Sequence, residues 1–274
     1  MPAKTPPTGD PVWLEDVLRP ALGDRLRTLP GWQNSGVGGL MGQIWGVMWH
    51  HTGNARETAQ SIRNGRPDLP GPLAQLHIAP DGTVTIVAVG PCNHGGRGSW
   101  PGLPTDGANR LTIGIECAWP SDTTITEETQ TREPWPAAQL RSMIDVGAAL
   151  TAHLGVDASH NISHHEWATQ GPAGWRQGKW DPGNLDMNWF RGEITKTMTA
   201  QANPPAATPG GTVPAPTNDD KLNYVFGQLQ PYPQLAGKPE ALDALRRKIA
   251  DGLDLTMVDA VAAHIHGLFV KADN

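Results

Sequence analysis

Short apolar runs of strand length alternate with helical stripes along the first two hundred residues, which predicts several short strands interleaved with helices. Ile44–Trp49 is a compact apolar run with β-branched members, and it ends at His50. Leu111–Cys117 is a second predicted strand that carries Glu116 near its end, and Ile162 is expected to end a third. Because a carboxylate is costly to bury without a partner, Glu116 is a candidate for function. Functional side chains commonly lie at strand ends in sheet folds.

Helices and one hairpin complete the predicted elements. Ala137–Leu154 has the clearest helical periodicity, and Gly155 stands at the expected C-terminal stop. Val12–Leu26 carries a rougher stripe, which Pro20 is expected to kink or end one turn in. The other predicted elements are a helix at Asn54–Arg63, a hairpin of Ala74–Ile78 and Thr83–Val89 joined by Pro80-Asp81-Gly82, and a helix at Asn184–Met198.

Changes of composition along the chain predict four segments. Residues 1–40 are expected to form an N-terminal extension packed on a main domain of residues 41–199. Residues 200–218 are rich in Pro, Ala, Thr and Gly, which predicts a linker that does not pack. Residues 219–274 carry helical stripes, which indicate a small helical C-terminal module. A module of that size is marginally stable alone and usually needs a partner, a surface or an oligomer.

Charge and composition exclude several classes of function. A net charge of −6 offers no basic field to nucleic acid or to an anionic membrane. No apolar run approaches the roughly 20 residues of a membrane span, and the polar, proline-rich start does not resemble a secretory signal. Cys92 and Cys117 form no disulfide framework, so both are expected to be reduced, with a single bridge between them as the alternative.

Histidine, lysine and aspartate recur in two neighbouring segments rich in turn residues. The first is Ser163-His164-His165-Glu166-Trp167, and the second is Lys179-Trp180-Asp181-Pro182-Gly183. A further pair of histidines lies far upstream, in His50-His51-Thr52. Two histidines and one carboxylate suffice for a catalytic zinc, which takes three protein ligands and leaves its fourth position to water. The sequence therefore predicts a site for one Zn²⁺ ion.

Six motifs between Gly46 and Gly183 carry a family resemblance. They are Val47-Met48-Trp49-His50-His51-Thr52, Asp81-Gly82-Thr83-Val84, His94-Gly95-Gly96, Asn109-x-x-Thr112-Ile113-Gly114-Ile115-Glu116, Ser163-His164-x-Glu166 and Lys179-x-Asp181-Pro182-Gly183. In this order they resemble the zinc-dependent N-acetylmuramoyl-L-alanine amidases of the type-2 amidase and peptidoglycan recognition protein superfamily. The resemblance implies an α/β fold with a mixed central β-sheet flanked by helices. It also implies a peptidoglycan substrate, cut between N-acetylmuramic acid and the L-alanine of the stem peptide.

The same resemblance implies a ligand set for zinc. His50, His164 and Asp181 match the family's three zinc ligands. His51 is then expected to point to the other face of the sheet, because side chains alternate along a strand. A slip of one position would make His165 the ligand instead of His164, and this alternative stays open.

Catalytic and substrate-binding roles are implied in the same way. Glu116 matches the general base that acts on the zinc-bound water, and Lys179 matches the residue that stabilises the oxyanion. Other family members use a tyrosine on the first hairpin strand, and Ala74-Gln75-Leu76 has none. His94 matches a pocket histidine of the family, for which substrate contact and loop packing are the two alternatives. Trp100, Trp119 and Trp167 lie near the motif residues and are expected to line a substrate groove.

The opening segment indicates what kind of genome encodes the protein. Val12–Arg19, leading to Pro30-Gly31-Trp32, resembles the start of amidase domains in lysins of phages that infect mycobacteria and related actinobacteria. This implies an endolysin made in the host cytoplasm without a signal peptide, which acts on the cell wall after release. Its C-terminal module would serve wall targeting or oligomerisation. A host-encoded amidase is the competing source, and a non-catalytic peptidoglycan-binding module and a zinc peptidase cutting within the stem peptide are the competing functions.

Overall fold

The computed structural model describes residues 5–123, 133–171 and 177–202. The C-terminal module predicted at 219–274, and the predicted linker from residue 203 onward, lie outside the described residues. Within the described part of the chain, no helix combines the length and the apolar character needed to cross a membrane.

A six-stranded sheet forms the centre of the fold. Its strands are β1 (Leu26–Thr28), β2 (Gly46–His51), β5 (Leu76–Ile78), β6 (Val84–Ile86), β7 (Thr112–Cys117) and β8 (Asn161–Ser163). They lie in the order β1, β6, β5, β7, β2, β8, and β5–β6 is antiparallel while the other neighbouring pairs are parallel. A separate antiparallel pair consists of β3 (Gly65–Arg66) and β4 (Leu69–Pro70).

Helices cover both faces of the sheet. They are α1 (Leu14–Leu22), α2 (Ala59–Asn64), α3 (Ala108–Leu111), α4 (Ala137–Leu154), α5 (His164–Thr169) and α6 (Met187–Ala202). On one face α4 packs on the sheet between α1 and α6, and Trp49 meets Phe190 of α6 edge to face at 4.9 Å. On the other face Met48 packs with Ala108 of α3 and Trp167 of α5. The expected α/β fold, with a mixed sheet flanked by helices, is confirmed.

The chain before residue 41 contributes to the same core. Leu14, Leu18 and Leu22 of α1 are buried, and α1 packs against α4. Strand β1 joins the edge of the sheet beside β6, and Arg25 donates a 2.7 Å hydrogen bond to the buried Asp145 of α4. Each buried leucine stabilises the fold by about 1.5–3 kcal/mol relative to an exposed one. Residues 14–28 are therefore a structural part of the sheet and its helix layer.

The local predictions differ from the structure at several points. Helix α1 continues through Pro20 to Leu22, because Leu18 and Leu22 both gain a buried place against α4. Helix α2 begins at Ala59 and not at Asn54, since Thr58 accepts a hydrogen bond from the Ser61 amide and caps it. Strand β1 was not predicted. Helix α4 has the predicted bounds.

The two cysteines are both buried and free. Burial raises the pKa of each thiol well above its ordinary value. The expectation of reduced cysteines therefore agrees with this structure, and the alternative bridge is absent.

Candidate metal centre

Polar side chains form a row across the parallel strands near their carboxyl ends. His77 of β5 pairs with Glu116 of β7, and Glu116 pairs with His50 of β2. Directly paired residues point to the same face of a sheet, so these three side chains share the face covered by α3 and α5. Strand β8 pairs with β2 up to Ser163, and the next residue, His164, begins α5 beside His50.

The start of α5 is fixed by hydrogen bonds that orient His164. Ser163 accepts a hydrogen bond from the Glu166 amide, and the Glu166 carboxylate accepts one from the Ser163 amide. This capping box is held in turn by Arg191, which donates to Glu166 at 2.9 Å. His164 consequently points toward the row of strand residues. His165 is exposed and lies with Nδ1 2.8 Å from the carbonyl oxygen of Lys179.

Three potential ligand atoms meet at the end of this row. His50 Nδ1 lies 3.0 Å from His164 Nδ1 and 3.0 Å from Asp181 Oδ2, and His164 Nδ1 lies 3.1 Å from the same oxygen. All three residues are buried. Asp181 arrives from the loop after α5, so the triangle joins two strand ends and one loop. The structure thus brings together His50, His164 and Asp181, and it places His165 outside the triangle.

The donor atoms suit a zinc ion in type and in spacing. Ligand atoms of a tetrahedral zinc site at about 2.0–2.1 Å from the ion lie roughly 3.3 Å apart. The observed separations of 3.0 to 3.1 Å are close to that edge length. Two imidazole nitrogens and a carboxylate oxygen are moreover all lone-pair donors that zinc accepts. These residues therefore fit the ion that the sequence predicts.

The protonation states of His50 and Asp181 also favour the binding of a cation. Burial lowers the pKa of His50 to about 4, so its imidazole is neutral at pH 7. Burial alone would raise the pKa of Asp181, but the charge of His164 and hydrogen bonds with both histidines hold it well below its ordinary value. A neutral imidazole beside a charged carboxylate is the form in which both groups bind a metal.

The loop at His94 and Gly95 contacts the imidazoles of His50 and His164 on the side away from Asp181. His94 is buried, and its Nδ1 lies 3.2 Å from His50 Nε2 with the two rings nearly perpendicular. The carbonyl oxygen of Gly95 lies 3.0 Å from His164 Nε2. Burial, together with the charges of His50 and His164, lowers the pKa of His94 well below its ordinary value. His94 therefore contacts the candidate ligand His50, and the expected contact with substrate remains a prediction.

Glu116 and Lys179 lie within electrostatic range of the triangle. Burial, and then the charge of Asp181, raise the pKa of Glu116 well above its ordinary value, while Lys179 lowers it. Among the described residues, Glu116 Oε2 is buried without a hydrogen-bond partner. Lys179 is exposed, and its charge also contributes to the lowered pKa of His50. Burial and the charge of Asp181 thus favour the protonated form of Glu116, and the charge of Lys179 opposes this. A carboxyl group whose pKa is shifted in this way next to potential metal ligands is a candidate for proton transfer.

The tryptophans do not all lie where substrate contacts require them. Trp167 is fully buried, and its indole N–H donates to the carbonyl oxygen of Gly95 at 3.0 Å. Trp119 is also fully buried and stacks on Trp135 with ring centroids 4.4 Å apart. Neither ring is accessible in this structure, so the expectation that Trp167 and Trp119 line a substrate groove gains no support from it and stays a prediction. Trp100 is partly exposed, so its predicted contact with substrate stays a prediction.

The sequence did not reveal the roles of Gly95, Asn109 and Gln177 around the site. The Gly95 carbonyl accepts hydrogen bonds from Trp167 and from Gln177, in addition to its contact with His164. Asn109 Oδ1 accepts from the amides of His94 and Gly95 at 3.1 and 2.7 Å. The position of Asn109 in a motif was the available signal. A main-chain carbonyl leaves no signal in a sequence.

His51 lies on the other side of β2, as alternation along the strand predicts. Its Nδ1 accepts a hydrogen bond from the Gly53 amide, and its ring contacts Trp119 and Trp180. Gly183 has room there only because it lacks a side chain, since a Cβ would lie 2.7 Å from the ring of Trp119. His51 is therefore a packing residue in the described part of the chain.

Comparison with known proteins places this site within a family. Residues 41–184 match the N-acetylmuramoyl-L-alanine amidase family. No curated protein matches the chain significantly.

Several solved structures resemble the chain at low identity. The endolysin N-acetylmuramoyl-L-alanine amidase LysCS from Clostridium intestinale is 16% identical with a TM-score of 0.44, covering 62% of this chain and 95% of its own. PlyL is 14% identical with a TM-score of 0.41, covering 62% of this chain and 96% of its own. A selenomethionine derivative of AmpD is 17% identical with a TM-score of 0.40, covering 63% and 96%. Because the family match spans more than half of the chain and includes His50, His164 and Asp181, the chain belongs to the N-acetylmuramoyl-L-alanine amidase family.

Proposed function

We propose that this chain is a zinc-dependent amidase that cleaves peptidoglycan between N-acetylmuramic acid and the L-alanine of the stem peptide. The observation that carries the proposal is the buried triangle of His50, His164 and Asp181, which lies inside the segment matched by the amidase family. Three ligands from the protein leave a fourth position open in a tetrahedral site, as catalytic zinc requires. A structural zinc site would instead take four protein ligands.

In this proposal each polar residue of the site has a separate task. When bound, zinc supplies a Lewis acid that polarises a carbonyl group and lowers the pKa of water. Glu116 takes a proton from the attacking water and returns it to the nitrogen of the leaving stem peptide. The raised pKa of its carboxyl supports this role, because a stronger base accepts the proton more readily. Lys179 stabilises the negative charge that develops on the carbonyl oxygen.

The competing functions differ in what the site must contain. A non-catalytic peptidoglycan-binding module needs no complete ligand set, whereas His50, His164 and Asp181 are all present and within 3.1 Å of one another. This favours an enzyme. A zinc peptidase would use the same ligands, so the bond that is cut has to be identified from the products.

We further propose that the enzyme is an endolysin. The N-terminal segment and the segmentation of the sequence support this source, and the C-terminal residues 219–274 would direct the enzyme to the wall. Trp100 and His94 remain proposed substrate contacts.

The test is digestion of purified peptidoglycan followed by mass spectrometry of the products. We expect intact stem peptides with a free N-terminal L-alanine, and glycan strands that keep their lactyl groups. Cleaved stems would show a peptidase, and unchanged sacculi in the presence of zinc would favour the binding module.

Two variants sharpen this test. Glu116→Gln removes the base and should lower the rate by about 10²–10⁴-fold. Glu193→Gln is the matched control, because Glu193 is on α6 and pairs with the exposed Lys196. The control should cleave at the native rate. An equal loss in both variants would contradict the role assigned to Glu116.

A further inference from the structure

We infer that His94 is a positioning residue, which acts with the Gly95 carbonyl to fix the tautomers of both histidine ligands. This inference rests on the proposed zinc site and deepens it. A neutral imidazole carries one hydrogen, on either Nδ1 or Nε2, and only the bare nitrogen can bind a metal. At His50 and His164 the nitrogens that meet Asp181 are both Nδ1. The hydrogen of each ring must therefore be held on Nε2.

For His164, the Gly95 carbonyl decides the tautomer. A carbonyl oxygen can only accept hydrogen bonds, and His164 Nε2 lies 3.0 Å from it. The hydrogen consequently lies on Nε2, which leaves the Nδ1 lone pair directed at the triangle. The indole of Trp167 donates to the same oxygen at 3.0 Å, and the Gln177 amide donates at 2.9 Å. These two bonds keep the carbonyl in place beside the ring.

For His50, the neighbouring ring of His94 determines the tautomer. His50 Nε2 lies 3.2 Å from His94 Nδ1, so one of these two nitrogens carries the shared hydrogen. If His50 donates, its Nδ1 is bare and available to zinc. If His94 donates, His50 carries its hydrogen on Nδ1, pointing at Asp181 Oδ2 only 3.0 Å away. The tautomer of His94 thus selects between a ligand and a non-ligand form of His50.

The backbone holds His94 and Gly95 as one unit. Asn109 Oδ1 accepts hydrogen bonds from both of their amides, so one side chain fixes two consecutive residues. The ring of His94 lies over Gly114 of β7, where a Cβ would come within 2.7–2.9 Å of three ring atoms. The absence of a side chain at Gly114 therefore gives the imidazole its place beside His50. In other zinc sites, replacing a side chain that orients a ligand in this way typically changes metal affinity by about 10–100-fold.

The first measurement needs no substitution. In the native chain loaded with Zn²⁺, the ¹⁵N chemical shifts of the imidazole nitrogens report which nitrogen of each ring carries hydrogen. We expect His94 with its hydrogen on Nε2 and a bare Nδ1 that accepts from His50. A hydrogen on Nδ1 of His94 would overturn the inference, because that nitrogen could not then accept.

The second measurement compares a near-isosteric pair of variants by competition with a zinc chelator. His94→Leu removes the acceptor and should weaken zinc binding by about 10–100-fold. His94→Asn keeps an amide oxygen near the position of Nδ1 and should restore most of the affinity. The matched control is His77→Leu, since His77 is also buried on this sheet but lies against the carbonyl of Glu57. The control should bind zinc as the native chain does.

The outcomes separate this inference from the proposed function. Failure of the native chain to bind zinc would remove the proposed function, and the inference with it. Tight binding by the native chain and equally tight binding by His94→Leu would overturn the inference alone. A loss in His77→Leu as large as in His94→Leu would also overturn it, since the effect would then be a general result of altering a buried histidine.

Discussion

Replacing Asp181 by asparagine should separate metal binding from folding. Asp181 is the one negatively charged member of the triangle, and its Oδ2 lies 3.0 and 3.1 Å from the two imidazole nitrogens. The Asp181→Asn side chain has the same shape but no charge. It also offers an amide that can donate to a bare Nδ1. Because the lowered pKa of Asp181 means that its charged form is favoured in the folded chain, the metal-free variant should be less stable than the metal-free native chain at neutral pH. Its zinc affinity should fall as well, and this loss is measured separately as the zinc-dependent rise in Tm.

The size of the effect follows from the linkage between binding and folding. Zinc at one hundred times its dissociation constant stabilises the native chain by about 2.7 kcal/mol. For a domain of this size, that free energy raises Tm by roughly 5–11 °C. Replacing a residue that only orients a ligand changes metal affinity by about 10–100-fold. Replacing the charged ligand itself should therefore weaken zinc binding by at least about 100-fold. At the same zinc concentration the variant would then gain only about 0.4 kcal/mol, or roughly 1–2 °C.

Thermal unfolding of both proteins, with chelator and with zinc, measures these shifts. The control is Asp145→Asn, because Asp145 is also buried but pairs with Arg25 and Arg141 on the opposite face of the sheet. The control should lose stability with and without zinc, and it should keep the full zinc-dependent rise in Tm. A rise in Asp181→Asn equal to that of the native chain would show that Asp181 is not a ligand.

Three further predictions concern charge, stability and the C-terminal segment. Lys179→Met removes the charge that lowers the pKa of Glu116, so the acidic limb of the pH profile of kcat/KM should move to higher pH; an unmoved limb would show that Glu116 does not set it. Gln75→Leu should lower the free energy of unfolding by about 2–4 kcal/mol in chemical denaturation, because the buried Gln75 accepts from the Gly114 amide and donates to the Gly90 carbonyl. A variant as stable as the native chain would contradict that reasoning. Deletion of residues after 216 should reduce binding to purified cell walls while sparing hydrolysis of a soluble muropeptide, and undiminished wall binding would exclude a targeting role.

The sequence by itself determined the elements whose signals are local. Periodicity and a terminal glycine define α4, and Gly155 indeed adopts the left-handed conformation at φ 71°. Strand-length apolar runs located β2 and β7 with their functional residues, because a buried strand has to be apolar along its length. The three candidate ligands could be named in advance because each lies in a short motif. The order of these motifs along the chain can be seen in the sequence even though the residues are far apart.

Only the tertiary structure decided which side chains meet. The choice between His164 and His165 depends on where α5 begins, which the capping box at Ser163 sets. Trp167 looked like a groove residue, but packing between α5 and the loop at Gly98 buries it completely. The support of His164 comes from the main-chain oxygen of Gly95, a group that every residue possesses and that no sequence pattern marks. Contacts of this kind depend on the path of the backbone through space, and distant parts of the chain set that path together.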